Sequence, residues 1–336
     1  MKRIKLVALC FLFLSGSVFS KPDLSHITHP LSFKKVVIWG HKLHSHTHSY
    51  IHYAFYKTFK HLGYNTYWFD NKDDVRDIDF SHSLFITEGQ VDQKIPLRDD
   101  CRYILHNCKM GKYKKLFDQG NCIVLQVYTH DCLKRDDQEI EKCFCIDLEH
   151  KVIYMPWATD LLPYQVDEVK QQLSNEKKEN YTCYVGTINR SGQINNRGSI
   201  YGFASACKNN GIDFKNYSKI SPEKNVEVIR KSLFAPAIQG AWQCEHGYIP
   251  CRIFKNISYG SIGITNSKTV YELFNKKIIY NPDTYQLGLD AIEKMKNFDM
   301  SELYELMDFV RDNHTYINRI NYLFWFLDMV KPIGLS

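Results

Sequence analysis

The residues with the clearest capacity for chemistry are the histidines that follow the first apolar segment. The stretch 41–48 holds four histidines in eight residues, and His52 lies four residues after His48. Imidazole can act as a general base near neutral pH and is the commonest zinc ligand, and residues four apart share one helix face. We select His46 and His48 as candidates for a base or a hydrogen-bond donor to phosphate.

A metal site is one alternative for this stretch, with His44, His46, His48 and His52 as its ligands. The chain has no HExxH motif and no clear partner for a further ligand, so we predict no metal and no cofactor. A polar loop with exposed histidines is the other alternative.

Glu88 is the first candidate for a catalytic carboxylate. It ends the apolar segment Ser83–Thr87 and precedes a glycine. A carboxylate at the carboxyl end of a buried strand faces the side on which α/β sheets bind ligands, and such a position can shift its pKa. We therefore predict Glu88 as a general base, with a turn-capping or helix-capping role as the alternative.

Two stretches suit an anionic ligand. After the apolar run Leu233–Ile238, residues 239–252 lead into a predicted helix that starts near Pro250 and carries Arg252. A helix N-terminus with an arginine inside it can bind a diphosphate. A glycine-containing loop at 187–198 adds Arg190 and Arg197, although it matches neither the GxGxxG nor the P-loop spacing.

The segment YIPCRIFKN at residues 248–256, followed by Gly260 and an apolar run, resembles the donor-binding stretch Tyr-Ile-Thr-Glu-Lys-Leu-Trp-Lys-Asn of the α1,3-fucosyltransferases. It also resembles, more loosely, the Pro-x-Arg-x-Phe-Glu stretch of CgeB-like glycosyltransferases. The similarity covers about a tenth of the chain. Cys251 stands where the fucosyltransferases have Glu, and Lys255 stands where the CgeB-like pattern has Glu.

The resemblance implies a GT-B fold and a helix that holds a nucleotide-diphosphate sugar. A family role carries over to Arg252, as a phosphate ligand. The other substrate-binding candidates in this region are Gln239, Glu245, Tyr248, Lys255 and Asn256. In GT-B enzymes that invert the anomeric centre, a carboxylate or histidine of the N-terminal domain commonly acts as base, and Glu88 matches that by position.

The elements that must position these residues alternate between strand and helix patterns. Apolar runs at 34–40, 64–69, 83–87, 103–106, 123–127 and 152–155 predict strands, and the spacing over 49–62 predicts an amphipathic helix. A second set of alternating patterns begins at Tyr181 and includes a strand at 213–217, a helix at 222–231 and a polar loop at 241–248. The lysine-rich run 165–180 before it is expected to be a surface helix or linker. Chains with the fold that the resemblance implies often end in a helix that crosses back onto the first domain, and the run 322–330 is apolar enough to pack there. The sequence thus predicts an α/β protein with two Rossmann-like βα domains followed by C-terminal helices. The resemblance implies that the two domains face each other across a cleft, as in the GT-B fold.

The predicted division of the chain is a signal peptide at 1–20, an acceptor-side domain at 33–155, a linker at 156–180, a nucleotide-sugar domain at 181–300 and helices at 301–336. The basic start, the apolar core at 6–14 and the small residues before Lys21 are typical of a secretory signal. We expect export or passage through the secretory pathway, to a lumenal or periplasmic location. An uncleaved segment would allow membrane association.

Composition limits the partners. The net charge of +6 is mild and the lysines are scattered, which argues against nucleic acid and leaves acidic small molecules open. In an exported protein, loop cysteines are usually paired. We therefore predict at least one disulfide within one group of cysteines, namely Cys101, Cys108, Cys132, Cys143 and Cys145.

These observations favour a metal-independent glycosyltransferase, hexosyl- or fucosyltransferase-like, that moves a sugar from a nucleotide-diphosphate sugar to a hydroxyl of a glycan, lipid or protein. One alternative is a non-catalytic descendant that binds a glycan or a partner protein, which Cys251 and Lys255 at positions of family carboxylates would suit. The other is an exported metal-binding protein that uses the histidine stretch.

Overall fold

The computed structural model describes residues 33–128, 144–330 and 332. Within this part of the chain, strands alternate with helices, and the strands form two mainly parallel systems. The predicted signal segment, residues 1–20, lies outside the described residues. Over the ranges just given, no helix has both the length and the apolar character needed to cross a membrane.

The first half of the chain builds a seven-stranded sheet. Its elements are β1 (Lys35–Trp39), α1 (Ser49–His61), β2 (Thr66–Phe69), β3 (Ser83–Glu88), β4 (Arg102–His106), a 3₁₀ turn (Met110–Tyr113), α2 (Lys114–Asp118), β5 (Cys122–Gln126), β6 (Cys145–Asp147) and β7 (Val152–Tyr154). The strand order is β2-β1-β3-β4-β5-β7-β6, and β6 runs antiparallel to β7. Because the order reverses at β1, the loops after β1 and β3 flank a crevice at the carboxyl edge.

Both faces of this sheet are covered, as apolar parallel strands require. Successive residues of β1 point to opposite sides: Val36 and Ile38 join one apolar cluster, whereas Val37 and Trp39 join another. Helix α1 covers the first side with Phe55, and the 3₁₀ turn and α2 cover the second. The sheet is therefore a rigid platform for the loops at its carboxyl edge.

The second half also alternates strands with helices. Its elements are α3 (Pro163–Leu173), β8 (Glu179–Val185), α4 (Arg197–Asn209), β9 (Asp213–Tyr217), α5 (Pro222–Lys231), β10 (Ser232–Phe234), α6 (Ala241–Glu245), α7 (Cys251–Ser258), β11 (Ile264–Thr265), α8 (Lys268–Leu273), β12 (Ile279–Tyr280), α9 (Thr284–Lys296), α10 (Met300–Asn313) and α11 (Tyr316–Met329). A parallel bridge between Ala237 and Thr265 joins the β10-β8-β9 sheet to the β11-β12 pair. The order reverses at β8, so the loops after β8 and β10 flank a second crevice.

The chain crosses between the two halves twice. Residues 156–162 make the first crossing and are all buried. The second crossing follows α10, at Thr315, which forms a parallel bridge with Thr159. Helix α11 then packs on the core of the first sheet through Ile320, Leu323 and Phe326. The predicted return of the apolar run 322–330 to the first domain is confirmed.

Some local predictions need correction. The polar run 165–180 was expected to be a surface helix or linker, but α3 buries Val166, Val169 and Leu173 in the second core. These residues recur at three- and four-residue spacing, so the helix has one apolar face among its charges. We therefore place the first crossing at 156–162. The predicted polar loop 241–248 contains the short helix α6.

Among the cysteines predicted to pair, Cys101 and Cys108 are free thiols. Cys101 is buried and its Sγ lies 2.9 Å from the carbonyl oxygen of Phe80, so this cysteine packs as a small apolar side chain and not in an exposed loop. Cys145 is disulfide-bonded. Cys132 and Cys143 lie outside the described residues, and pairing within the group stays a prediction.

Candidate active site

Glu88 lies at the carboxyl end of β3, as the sequence predicted, and its side chain is 0% exposed. The register of β3 and β4 pairs Glu88 with His106. Nδ1 of His106 lies 2.9 Å from Oε2 of Glu88, and Nδ1 of His48 lies 2.8 Å from the same oxygen. Since a carboxylate accepts hydrogen bonds, both imidazoles donate through Nδ1–H. Glu88 is enclosed behind two histidines.

The charge of Glu88 determines the tautomer of His48. Burial acts to raise the pKa of the Glu88 carboxyl, but the hydrogen bonds from His106 and His48 outweigh it and hold the pKa well below its usual range. The resulting carboxylate keeps the proton of neutral His48 on Nδ1 and leaves the lone pair on Nε2. The His48 side chain is 25% exposed, and its Nε2 has no hydrogen-bond partner among the described residues.

The structure does not bring together the four histidines of the metal alternative, His44, His46, His48 and His52. His44 adopts a left-handed backbone conformation, φ 68°, and its Nδ1 lies 3.1 Å from Oη of Tyr50. His52 is buried, and burial lowers its pKa to about 3. Nδ1 of His52 lies 3.4 Å from the carbonyl oxygen of His41. These two rings are therefore fixed by contacts of their own.

His46, the second predicted base, is part of a stack of imidazoles. Its ring lies 4.2 Å from the ring of His41 and 5.0 Å from that of His48, measured between centroids. The backbone N–H of His48 donates to Nδ1 of His46 over 3.2 Å. Burial, followed by its histidine neighbours, lowers the pKa of His46. His46 thus supports the backbone that carries His48.

On the second half of the chain, Arg252 lies in the first turn of α7. Its Nε donates to the carbonyl of Val185 over 3.0 Å, and Nη1 contacts the carbonyl of Ile238 at 3.5 Å. The guanidinium lies 4.2 Å from the ring centroid of Tyr184. Its other N–H groups, including both on Nη2, have no partner in the described ranges. They can bind an anion at the carboxyl ends of β8 and β10.

Gly186 makes the position of Arg252 possible. A Cβ atom at residue 186 would lie 2.5 Å from Nη2 of Arg252, and the backbone has φ 149°, which side-chain-bearing residues rarely adopt. A glycine therefore satisfies both the close approach and the backbone geometry. The sequence indicated a flexible loop after this residue, but not the contact with Arg252.

The remaining donor-side candidates differ in their surroundings. Arg190, Arg197 and Glu245 are exposed. Gln239 is 1% exposed, and neither its amide oxygen nor its amide nitrogen has a hydrogen-bond partner among the described residues. Its backbone is fixed by Asn266, whose side chain accepts from the Gln239 N–H at 2.9 Å and donates to its carbonyl at 3.0 Å. Gln239 thus offers a free donor and a free acceptor.

Two predicted ligands are engaged in contacts that hold α7. Nζ of Lys255 lies 3.3 Å from Oδ2 of Asp160 in the buried first crossing. Asn256 is 2% exposed, and its Nδ2 donates to the carbonyl of Ala235 over 2.8 Å. These contacts fix the helix that presents Arg252, and a direct role of either side chain in substrate binding stays a prediction. Tyr248, a third candidate, lies at the boundary of the two halves.

The carboxyl edges of the two halves face each other. Tyr128, just beyond β5, forms an antiparallel bridge with Tyr248, and their ring centroids are 5.2 Å apart. Nζ of Lys255 lies 5.9 Å from the ring centroid of Tyr50, which is in the first turn of α1. The start of α1, which adjoins His48, therefore faces α7. His48 and Arg252 therefore lie on opposite halves, at edges that face each other.

Sequence reasoning missed two residues of this cleft. His106 was treated only as the end of a strand, although two neighbouring parallel strands that end in Glu and His would meet at one sheet edge. Trp242 lay in the predicted polar loop. Its ring is 5.3 Å from that of Tyr128 and 4.0 Å from that of His246, between centroids. No local sequence pattern predicts the contact of Trp242 with Tyr128, because this contact depends on how the two halves pack.

Neither a protein-family model nor a curated protein sequence matches the chain. Among solved structures, the chain is similar to an alpha-glucosyltransferase (AGT) in complex with UDP, with a TM-score of 0.58 and 9% identity over 88% of this chain and 99% of that one. A second AGT structure, with UDP and a 13-mer DNA containing an HMU base, has a TM-score of 0.51 and 11% identity, over 88% of this chain and 99% of that one. A glycosyltransferase from Rickettsia africae has a TM-score of 0.49 and 10% identity, over 91% of this chain and 100% of that one.

At these identities the likeness concerns the fold. It extends over nearly the whole of both chains in the two AGT comparisons, and so includes both sheets and the cleft between them. Each half has the strand order of a Rossmann-like unit, with its ligand edge turned toward the other half. The chain has the GT-B fold.

Proposed function

We propose that this protein transfers a sugar from a nucleotide-diphosphate sugar to a hydroxyl acceptor. The observation that carries the proposal is the carboxylate-bound imidazole of His48 on one wall of the cleft and the partly unpaired guanidinium of Arg252 on the other. Displacement of a diphosphate by a hydroxyl requires a base on the acceptor side and positive charge on the leaving group. The two walls supply one of each.

On the acceptor side, Nε2 of His48 accepts the hydroxyl proton as the acceptor oxygen attacks the anomeric carbon. The carboxylate of Glu88 stabilises the imidazolium that forms and holds its orientation through Nδ1–H. Glu88 itself was the first choice for the base. Its 0% exposure and the two hydrogen bonds to Oε2 favour a positioning role, with His48 as the catalytic residue.

On the donor side, the bond between the anomeric carbon and the diphosphate breaks, and the diphosphate leaves with the electron pair. Its negative charge is met by the free N–H groups of Arg252 and by the positive N-terminal end of α7. Gln239, whose side-chain amide is unpaired among the described residues, directly follows Ile238, and the carbonyl of Ile238 contacts Arg252. We assign it to the nucleotide or the sugar.

Uridine diphosphate sugars are the first donors to test, because both AGT structures contain UDP. The choice between hexosyl and fucosyl transfer, and any closer kinship with fucosyltransferases or CgeB-like enzymes, stay predictions. So do catalysis without a metal, a glycan, lipid or protein acceptor, the absence of a nucleic-acid partner, and export through residues 1–20. One AGT structure contains DNA, so DNA belongs in the acceptor panel.

The test measures UDP binding by calorimetry and UDP release from a UDP-sugar panel, with water or added acceptors. His48→Asn is the informative variant, since the Asn amide can keep the hydrogen bond to Glu88 but has no Nε2 lone pair. Turnover should fall by about two to four orders of magnitude with UDP affinity unchanged. Arg252→Ala should instead lose about 2 kcal/mol of UDP affinity, the worth of a charge-assisted contact.

His150→Asn is the matched control. Nδ1 of His150 also donates to a carboxylate, that of Asp147 at 2.8 Å, but His150 is exposed on the turn after β6. The turnover and UDP affinity of His150→Asn should equal those of the wild type. Near-normal turnover in His48→Asn would eliminate His48 as the base. Tight UDP binding without any transfer by the wild type would favour the non-catalytic alternative.

A further inference from the structure

One oxygen of the buried Glu88 carboxylate lacks a partner. Oε2 accepts from His48 and His106, whereas Oε1 is buried and has no hydrogen-bond partner in the described part of the chain. An ionised carboxylate oxygen that is out of water and unpaired is costly, and native proteins normally provide a donor or a cation for it. The surroundings of this oxygen therefore call for a further occupant.

The groups around it are metal-ligand types at metal-ligand spacing. His48, Glu88 and His106 can each offer one ligand atom, and these three atoms lie within 4.8 Å of one another. In a tetrahedral zinc site, bonds of about 2.0 to 2.2 Å place neighbouring ligand atoms about 3.3 Å apart. The observed separations of 2.8 and 2.9 Å between the histidine nitrogens and Oε2 need to open by about half an ångström to admit an ion.

The three ligands are also held on rigid elements. Glu88 and His106 end paired strands, and His48 is the N-cap of α1. The His106 ring packs against Trp157 with 4.8 Å between centroids. Two imidazoles and one carboxylate match the donor set of open zinc sites, which keep a fourth position for water or substrate. Nitrogen ligands also disfavour Mg²⁺ and Ca²⁺, which prefer oxygen.

We propose that His48, Glu88 and His106 form a Zn²⁺ site and that the bound ion switches off the sugar transfer assigned above, so the second half of the proposal rests on that function. Without metal, the proton of neutral His48 is on Nδ1 and the lone pair on Nε2 faces the acceptor. A metal can bond to Nδ1 only after that nitrogen loses its proton, and the neutral ring then carries its proton, exchanged through solvent, on Nε2. The imidazole then cannot accept a proton from an acceptor hydroxyl.

The binding half is tested first and needs no activity. Untagged, chelator-treated protein is titrated with Co²⁺, whose visible absorption reports tetrahedral coordination, and with Zn²⁺ by calorimetry. We expect one ion per chain. His106→Ala should weaken Zn²⁺ binding by at least about 100-fold, because even outer-sphere partners are worth about 10- to 100-fold. His44→Ala, an exposed loop histidine outside the trio, should bind Zn²⁺ as the wild type does.

Several results would overturn the site. These are no tetrahedral Co²⁺ spectrum, unchanged Zn²⁺ affinity in His106→Ala, or equal losses in His106→Ala and His44→Ala, which would indicate the histidine loop instead. Because His106→Ala could unfold, Glu88→Gln provides a second ligand variant, and circular dichroism of both checks the fold. Either folded variant must show the loss.

The switch is tested by UDP release. Zn²⁺ should inhibit the wild type at the concentrations that fill the site, and a chelator should restore the rate. Whatever its basal rate, His106→Ala should need at least about 100-fold more Zn²⁺ for the same fractional inhibition. Activation by Zn²⁺ would overturn the switch. If no sugar transfer is detected under any condition, the proposed function fails, while the Co²⁺ titration still decides the metal site.

Discussion

The carboxylate of Glu88 acts through the rings that surround it. Its oxygen Oε2 orients two imidazoles, and its charge stabilises a proton on either of them. His48 is the more exposed of the two, with 25% of its side chain accessible against 6% for His106. One histidine is thus accessible from solvent, and the other is buried against the carboxylate.

Glu88→Gln separates orientation from charge. The amide oxygen can still accept a hydrogen bond from Nδ1 of His48, but it carries no negative charge to stabilise an imidazolium. We expect turnover to fall by about two orders of magnitude or more, with UDP affinity unchanged. The measurement is UDP release at saturating donor beside calorimetric UDP binding. A variant that folds normally and keeps its turnover would show that the charge of Glu88 has no part in the reaction.

Gly186→Ala tests whether the position of the Arg252 guanidinium matters, without changing the arginine. The added methyl would meet Nη2 at 2.5 Å on a backbone with φ 149°, so the guanidinium must move. We expect UDP affinity to fall about tenfold or more, because misplacing a charge-assisted contact loses part of its 1.5 to 3 kcal/mol. Gly192→Ala is the matched control: its φ is 72°, but a Cβ there meets nothing within 4 Å. Equal affinity losses in the two variants would indicate loop strain alone.

Residue types and strand ends made part of this site predictable. Glu88, His48 and Arg252 each follow an apolar segment as a polar group. His48 and Arg252 lie at the facing edges of the two halves, and Glu88 is buried behind His48. The pairing of His48 with Glu88 spans forty positions of sequence, and no periodicity encodes it. The contacts of Lys255 with Asp160 and of Asn256 with the carbonyl of Ala235 were not predictable, because a helix register shows which residues share a face but not which groups lie opposite them.

At the scale of elements, segments with a clear period or apolar run were predictable, and some of the shortest elements were not. The helix 222–231 and the strand 213–217 have the predicted bounds. The three-residue edge strand β6 and the five-residue helices α2 and α6 went unpredicted, because so few residues cannot express a period. Their structure comes from neighbours: β6 pairs with β7, and α2 continues the 3₁₀ turn before it.

The end of α11 depends on a distant arginine. Nη2 of Arg102, on β4, donates to the carbonyls of Leu327 and Val330 at 2.9 and 2.6 Å, and burial lowers the pKa of Arg102 to about 10. Arg102→Ala leaves these terminal carbonyls unpaired, so we expect about 2 to 3 kcal/mol less unfolding free energy in urea. Arg98→Ala, which breaks an exposed pair with Asp100, should cost at most about 1 kcal/mol. Similar losses would contradict the capping role.

At the scale of the whole molecule, Asp160 ties the first crossing to α7. Its carboxylate faces Nζ of Lys255 at 3.3 Å and accepts a hydrogen bond from Tyr259. Burial acts to raise the pKa of Asp160, but Lys255 and Tyr259 together lower it by more than burial raises it, so the net shift is downward. Burial and Asp160 act oppositely on Lys255, whose pKa is raised overall. The two shifts agree on a charged pair in the core of the junction.

Asp160→Asn should cost about 3 to 5 kcal/mol of unfolding free energy, since it leaves the ammonium of Lys255 buried and uncompensated. The double variant Asp160→Asn with Lys255→Met should recover much of that loss, because no isolated charge remains. Urea unfolding of the single and double variants measures both values. A double variant less stable than the single one would contradict the pairing.

The same carboxylate predicts a pH dependence. The pKa of Asp160 in the folded protein lies below its unfolded value of about 3.9. Its contribution is therefore complete above that value and is lost as pH falls through the folded pKa. We expect the unfolding free energy of the wild type to fall more steeply below about pH 4 than that of Asp160→Asn. If the unfolding free energies of the wild type and Asp160→Asn fall in parallel below about pH 4, other groups govern acid unfolding.

The return of α11 to the first sheet also has a consequence for how the chain is made. The last strand of that sheet ends at Tyr154, whereas the helix that completes its core begins at Tyr316, 316 − 154 = 162 positions later. A ribosome releases a chain from its N-terminus onward, so the part of the sheet that α11 covers stays open to water while the entire second half is synthesised. At about 5 to 20 residues per second, that interval lasts on the order of ten seconds or more. A newly made chain therefore presents an apolar surface that holding chaperones can bind throughout that time.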